Sequence, residues 1–127
     1  MSEQALRDRR ILVVEDEFIL CEELRSKLGD ARAIVVGPAA TILDALALVR
    51  SGQHIDGAFL DVNLGGEPVF PVADLLAERR VPFVFTTGYD SSAIPSRFGH
   101  VSLQEKPIDM RKVLAVMRTA IDAAAAG

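Results

Sequence analysis

Five short apolar runs of β-forming residues alternate with segments whose apolar residues recur at helical spacing, and this alternation constrains the fold more than any other feature. Ile11-Leu12-Val13-Val14 comes first. Phe18 to Leu28 follows, with Leu20, Leu24 and Leu28 at i, i+4 and i+8, and Gly29 stands where a helix-ending glycine is favoured. Ala33 to Val36 reads as the second strand, closed by Gly37-Pro38, and Thr41 to Arg50 as a helix with Ile42, Leu46 and Val49 on one face. The third strand, Gly57 to Leu60, is followed by a flexible Gly65-Gly66 loop and a helix from about Pro68 to Glu78, where Pro68 and Pro71 suit only the first turn. Pro82 to Thr86 and a short run around Val101 to Leu103 are the last two strands. Asp109 caps a final helix to about Ala125, with Val113, Val116, Met117, Ala120 and Ile121 inward. Between those strands, Ser91 to His100 has one apolar pair, Ala93-Ile94, and is interrupted by Pro95, so a short or irregular helix is expected there.

Strands that alternate with helices pair in parallel through right-handed crossovers, which places helices on both faces of the sheet. The expected class is α/β, a doubly wound five-stranded parallel sheet with about five helices, the fourth weak or short. Residues 1–9 read as a flexible tail and 10–127 as a single domain.

Half of the 127 residues are hydrophobic and a quarter are charged, as in ordinary globular domains. The net charge of −4, with no basic face, argues against nucleic-acid binding. A single cysteine, Cys21, excludes an internal disulfide and falls in a helical apolar pattern, where a small buried residue is expected. The first ten residues are polar, with Arg7, Arg9 and Arg10, and no apolar run is long enough to span a bilayer. A soluble cytoplasmic protein without membrane contact is the expectation.

Polar residues stand where the strands should end: Glu15-Asp16, Asp61, Thr87 and Lys106. Taken singly, Asp16 reads as a helix N-cap, Asp61 and Thr87-Gly88 as turn residues, and Lys106-Pro107 as an exposed loop. In a parallel sheet they converge instead, because ligands bind beyond the carboxyl ends of the strands. Asp61 lies 45 residues after Asp16 and 45 before Lys106, two βαβ-sized steps on either side. Three clustered carboxylates repel one another unless a cation is present, and Mg²⁺ suits an all-oxygen site. Lys106 offers a positive point charge and Thr87 a hydroxyl to a phosphoryl group, and Gly88 leaves room beside it.

The set Val13-Val14-Glu15-Asp16-Glu17, Phe59-Leu60-Asp61-Val62-Asn63, Phe85-Thr86-Thr87-Gly88 and Glu105-Lys106-Pro107 resembles a response-regulator receiver domain, the CheY-like phosphoacceptor of two-component signalling, from about Arg10 to Ala124. The resemblance implies a flavodoxin-like fold and phosphorylation of Asp61. It implies Mg²⁺ among Glu15, Asp16, Asp61 and the carbonyl of Asn63, with Glu15 acting through water, and phosphoryl contacts from Thr87 and Lys106. It also implies a histidine kinase or histidine phosphotransfer protein as donor and a downstream protein as recipient of the signal. With no room for an output domain, the effect is expected to run through protein–protein contact or through draining a phosphorelay. Phe85-Thr86-Thr87-Gly88-Tyr89 further resembles the motif of the FAT GUY subgroup of stand-alone alphaproteobacterial receivers, with tyrosine directly after glycine.

The chain departs from the wider family at three places. Glu15 stands where aspartate is commoner, Leu64-Gly65-Gly66 replaces a proline-containing loop, and Leu103 occupies the position three before Lys106 where an aromatic is usual. Tyr89 and Phe98 are the aromatics that could serve instead, or simply pack, and Asn63 and Tyr89 would flank the phosphoryl group and tune its hydrolysis. His54 and His100 read as surface loop residues.

Three other functions compete with this reading. A haloacid-dehalogenase-type phosphatase would need an acid two positions after Asp61, where Asn63 stands. A nucleotide binder would need a phosphate loop that Leu64-Gly65-Gly66-Glu67 does not match. A phosphate-independent protein-binding module, a degenerate receiver, is the remaining alternative.

Overall fold

The computed structural model describes residues 6–88 and 94–126. Among these, the elements are β1 (Arg10–Val14), α1 (Phe18–Asp30), β2 (Ile34–Ala39), α2 (Ile42–Arg50), β3 (Gly57–Asp61), β4 (Asn63–Leu64), β5 (Glu67–Pro68), α3 (Phe70–Glu78), β6 (Phe83–Thr87), β7 (Leu103–Glu105) and α4 (Met110–Ala126). The main sheet has the order β2-β1-β3-β6-β7 and every pair in it is parallel. Chain direction across the sheet reverses between β1 and β3, so the carboxyl ends of those two strands flank the switch-point crevice where such folds bind ligands.

Side-chain alternation divides the core. Leu12, Val14, Ala58, Leu60, Phe83 and Phe85 face one side and pack with Ala45, Val49, Val72 and Leu76 of α2 and α3. Ile11, Val13, Phe59 and Val84 face the other and pack with Leu20, Leu24, Val113 and Met117 of α1 and α4. The α4 packing on β3 is close: a methyl group added at Gly57 would lie 2.6 Å from Met117 Sδ. Cys21 is buried as expected, and its Sγ donates to the Glu15 carbonyl at 3.3 Å.

Several boundaries differ from the sequence reading, each for a local reason. Gly29 lies inside α1, and the left-handed residue after the helix is Arg32, at φ 67°. β2 runs through Gly37-Pro38 because Gly37, at φ 93°, forms an irregularity that lets Ala39 pair with Val14 and accept from the Glu15 amide at 3.0 Å. Thr41 is the N-cap of α2, its hydroxyl accepting from Asp44 N at 3.1 Å. Pro68 precedes α3, in a two-residue strand, while Pro71 occupies the first turn. The last strand begins at Leu103, two residues later than its apolar run.

Four α-helices are present among the described residues. Of the segment expected to hold a weak helix, residues 91–93 lie outside the described residues, as does Tyr89, and Ser96–Phe98 forms a single 3-10 turn. Within the segment read as a tail, Leu6 is buried against the α1–α4 side of the core. His54 and His100 are exposed.

Candidate functional site

The ends of β1 and β3 bring Glu15, Asp16 and Asp61 together, with one carboxylate oxygen from each lying within 4.8 Å of the others. Glu15 and Asp61 are buried, and Asp16 is exposed at the rim. Burial of two carboxylates here follows from the topology, because β1 and β3 are central strands covered on both faces.

Lys106 enters from the end of β7. Its amide donates to the Thr87 carbonyl at 2.7 Å, which extends the β6–β7 ladder by one bond and fixes the lysine beside the acids. Its Nζ donates to Asp61 Oδ2 at 3.1 Å, to Glu15 Oε2 at 3.4 Å, and to Glu17 Oε2. Glu17 precedes α1, and the sequence reading gave it no role. Its place in the Glu15-Asp16-Glu17 run was the available signal. Burial alone would lower the Lys106 pKa, but hydrogen bonds to Glu17 and Asp61 and the charges of Asp61 and Glu15 outweigh it and hold the ammonium above the ordinary lysine range.

Glu15 shows the opposite balance. Burial lifts its carboxyl from the usual 4.5 to about 7, with the Asp61 charge adding to the rise, while the Glu17 amide and Lys106 pull it down. The Glu17 amide donates to Oε2 at 3.0 Å. The other oxygen, Oε1, is buried without a hydrogen bond, although Lys106 Nζ lies 3.3 Å from it. An orphaned buried carboxylate oxygen beside two further carboxylates is the donor set a hard divalent cation takes, so these residues fit Mg²⁺.

Asp16 does not cap α1, since Glu17 holds the N-cap position. Asp16 Oδ2 instead accepts from the Gly65 amide at 3.0 Å. That amide sits at the tip of the β4–β5 hairpin, whose turn residues Gly65 and Gly66 have φ of 59° and 90°, the conformation that glycine supplies in a two-residue hairpin turn. The hairpin replaces the flexible loop expected from Gly65-Gly66. Asn63 opens it: the Asn63 amide donates to Asp61 Oδ1 at 3.2 Å, and its side-chain oxygen accepts from Gly66 N at 2.9 Å. Thr87 ends β6 and is buried, next in sequence to Thr86, which pairs with Asp61. The structure thus gathers Glu15, Asp16, Asp61 and Lys106 into one cluster, with Asn63 and Thr87 on the adjoining strand ends.

Leu103 is half-buried, pairs with Phe85, and lies against a cluster of phenylalanines. Phe98 is buried with its ring centroid 5.7 Å from Phe70, 6.0 Å from Phe83 and 5.5 Å from Phe85. Phe98 is therefore a packing residue in this structure.

No family model matches the chain. The solution structure of SdrG from Sphingomonas melonis is 42% identical and covers 92% of this chain and 97% of that one, with a TM-score of 0.77. The BeF3-activated conformation of SdrG from Pseudomonas melonis is 39% identical, covering 93% and 99%, with a TM-score of 0.71. A response regulator receiver protein from Sinorhizobium medicae has a TM-score of 0.80 at 24% identity, covering 94% of this chain and 98% of its own, a likeness of fold. The sensory transduction protein LytT of Bacillus cereus is 27% identical over 113 residues, 86% of this chain and 46% of LytT. The chain spans about half the length of the curated relatives it matches.

Proposed function

The chain belongs to the response-regulator receiver family of two-component signalling, and from that premise we propose that it is a phosphorylation-dependent switch whose acceptor is Asp61. The donor is a phosphohistidine on a histidine kinase or a histidine phosphotransfer protein. The phosphorus–nitrogen bond breaks with its electron pair returning to the ring, which leaves as neutral imidazole when its other nitrogen carries a proton. A bond forms between phosphorus and a carboxylate oxygen of Asp61. Residues 10–127 act as one receiver domain; the acyl phosphate carries about −1.5 to −2 where the carboxylate carried −1, and this added charge with its new acceptor oxygens alters a surface read by a downstream protein, or the transfer drains a relay.

The chain's own residues divide the work. Asp16, Asp61, the Asn63 carbonyl and, through water, Glu15 would hold Mg²⁺, while the Asn63 side-chain oxygen is taken by the Gly66 amide. Bound Mg²⁺ supplies charge neutralisation for the transferring phosphoryl group. Lys106 meets a phosphoryl oxygen as a point charge, and the Thr87 hydroxyl donates to another. Burial of Asp61 and Thr87 keeps bulk water from the acyl phosphate.

The observation that carries this reading is a charge mismatch. One ammonium, 3.1 Å from Asp61, faces four carboxylates, Glu15, Asp16, Glu17 and Asp61, a deficit suited to a divalent cation. The relative with a BeF3-activated conformation adds support, since that anion shares the tetrahedral shape and charge of a phosphoryl group. Incubation with acetyl phosphate and Mg²⁺, followed by intact mass measurement, is the test. One added phosphoryl group, absent from Asp61→Asn and absent with EDTA, is expected. No adduct with any donor and no Mg²⁺ binding would instead identify a phosphate-independent module.

A further inference from the structure

We propose that Glu17 is the counter-ion that Lys106 releases when a phosphoryl group arrives on Asp61, and that the freed carboxylate moves onto the amino end of α1. The inference rests on Asp61 being the acceptor. A lysine ammonium has three N–H groups. Here all three are committed, to Glu15, Asp61 and Glu17, so a phosphoryl oxygen can gain Lys106 only by displacing one of them.

The three partners are not equally held. The Glu15 side chain is 2% exposed and pinned by the Glu17 amide, and Asp61 is the group that carries the phosphoryl. The Glu17 side chain is 57% exposed, at the mouth of the site, and gives up the least on leaving.

Glu17 also has a second place to go. It occupies the N-cap position of α1, with φ −85° and ψ 113°, yet its side chain makes no capping hydrogen bond. The first turn of α1 contains no acidic residue. Its amides, from Phe18 to Leu20, have no acceptor within the helix, and a carboxylate there is favoured by those donors and by the helix dipole. The Lys106 pair thus holds Glu17 away from a position that its backbone already prepares. Release would recap α1 directly beside Phe18 and Ile19, which are 76% and 73% exposed, and so would report the phosphoryl group on the α1 surface. This route does not pass through Leu103.

Amide NMR titrations with BeF₃⁻ at saturating Mg²⁺, on the wild-type chain, Glu17→Gln and Glu17→Ala, test both halves. Both variants are expected to bind BeF₃⁻ about three- to fivefold more tightly, the scale of one half-exposed ion pair. Large shifts of the Phe18, Ile19 and Leu20 amides are expected in the wild type and lost in Glu17→Ala. Affinities within twofold of wild type, or weaker, would overturn the exchange. Unchanged amide shifts in Glu17→Ala would overturn the move onto α1. Acetyl phosphate loading separates the two levels: a wild-type chain that takes neither BeF₃⁻ nor a phosphoryl group refutes the acceptor reading itself, whereas loading with indifferent variants refutes only the role of Glu17.

Discussion

The Gly65 amide donates to Asp16 Oδ2 at 3.0 Å and so ties the hairpin after Asp61 to the loop after β1. This bond depends on a backbone that only glycine adopts freely, with Gly65 at φ 59° and Gly66 at φ 90°. A methyl group at Gly65 would rest 3.8 Å from Asp16 Oδ2, an ordinary contact, so the cost of Gly65→Ala is conformational and not steric. It is expected to destabilise by about 1 kcal/mol. Urea unfolding should show a lowered midpoint with an unchanged slope, and the Asp16 bond should survive as a retained Gly65-position amide shift.

Glu15 makes stability depend on pH in the direction opposite to an ordinary paired carboxylate. Its carboxyl has a pKa of about 7 in the fold against 4.5 otherwise, so between those values the native state binds more protons than the unfolded chain. Stability therefore falls as pH rises from about 4.5 to about 7, by up to about 3 kcal/mol for a shift of that size. On the proposed reading Mg²⁺ needs the ionised acid, so its stabilising effect is expected to grow over the same window. Unfolding with EDTA and with excess MgCl₂, at about pH 5 and about pH 8, should give curves that diverge at the higher pH. Glu15→Gln should flatten the EDTA series.

The fold and the convergence at the strand ends were legible because both follow from periodicity. Alternating strand and helix patterns imply a parallel sheet, and the residues just past Val14 and Leu60 must then share an edge. Features set by pairing between distant segments were not legible. The last strand starts at Leu103 because the Phe85 amide donates to the Ser102 carbonyl, a bond that apolar pattern cannot reveal. Gly65-Gly66 reads as a loop until Asn63-Leu64 is seen to pair with Glu67-Pro68. Asp16 resembles a cap because a capping aspartate and a strand-end carboxylate that joins a cluster occupy the same position in the chain. Glu17 emerged only with the direction of the Lys106 side chain.

Phe98 is the keystone of an aromatic cluster with Phe70, Phe83 and Phe85. It is buried, stacks on Phe70 and meets Phe83 and Phe85 edge-on. The 3-10 turn that carries it has only three residues and little other apolar anchorage. Phe98→Ala is expected to cost about 3–5 kcal/mol, as for other buried phenylalanines, and Phe98→Leu to recover most of that. Because Phe85 lies two residues before Thr87, the loss should also broaden amide signals of β6, a readout that distinguishes this site from a remote core position.

Lys106 is the positive charge that lets Glu15 and Asp61 remain buried side by side, and its removal should expose their repulsion. Lys106→Met keeps the length and apolar stem of the side chain but leaves the carboxylates without an ammonium. Stranding a buried acid in this way costs about 3–5 kcal/mol when the partner is lost completely. The net effect is expected to be smaller near pH 5, where Glu15 is protonated, and largest near pH 8, where it is ionised. Mg²⁺ can substitute for the missing charge, so it should raise the melting temperature of Lys106→Met by more than it raises that of the wild type. An equal Mg²⁺ increment in both proteins would mean that the ammonium and the cation do not compensate the same charges.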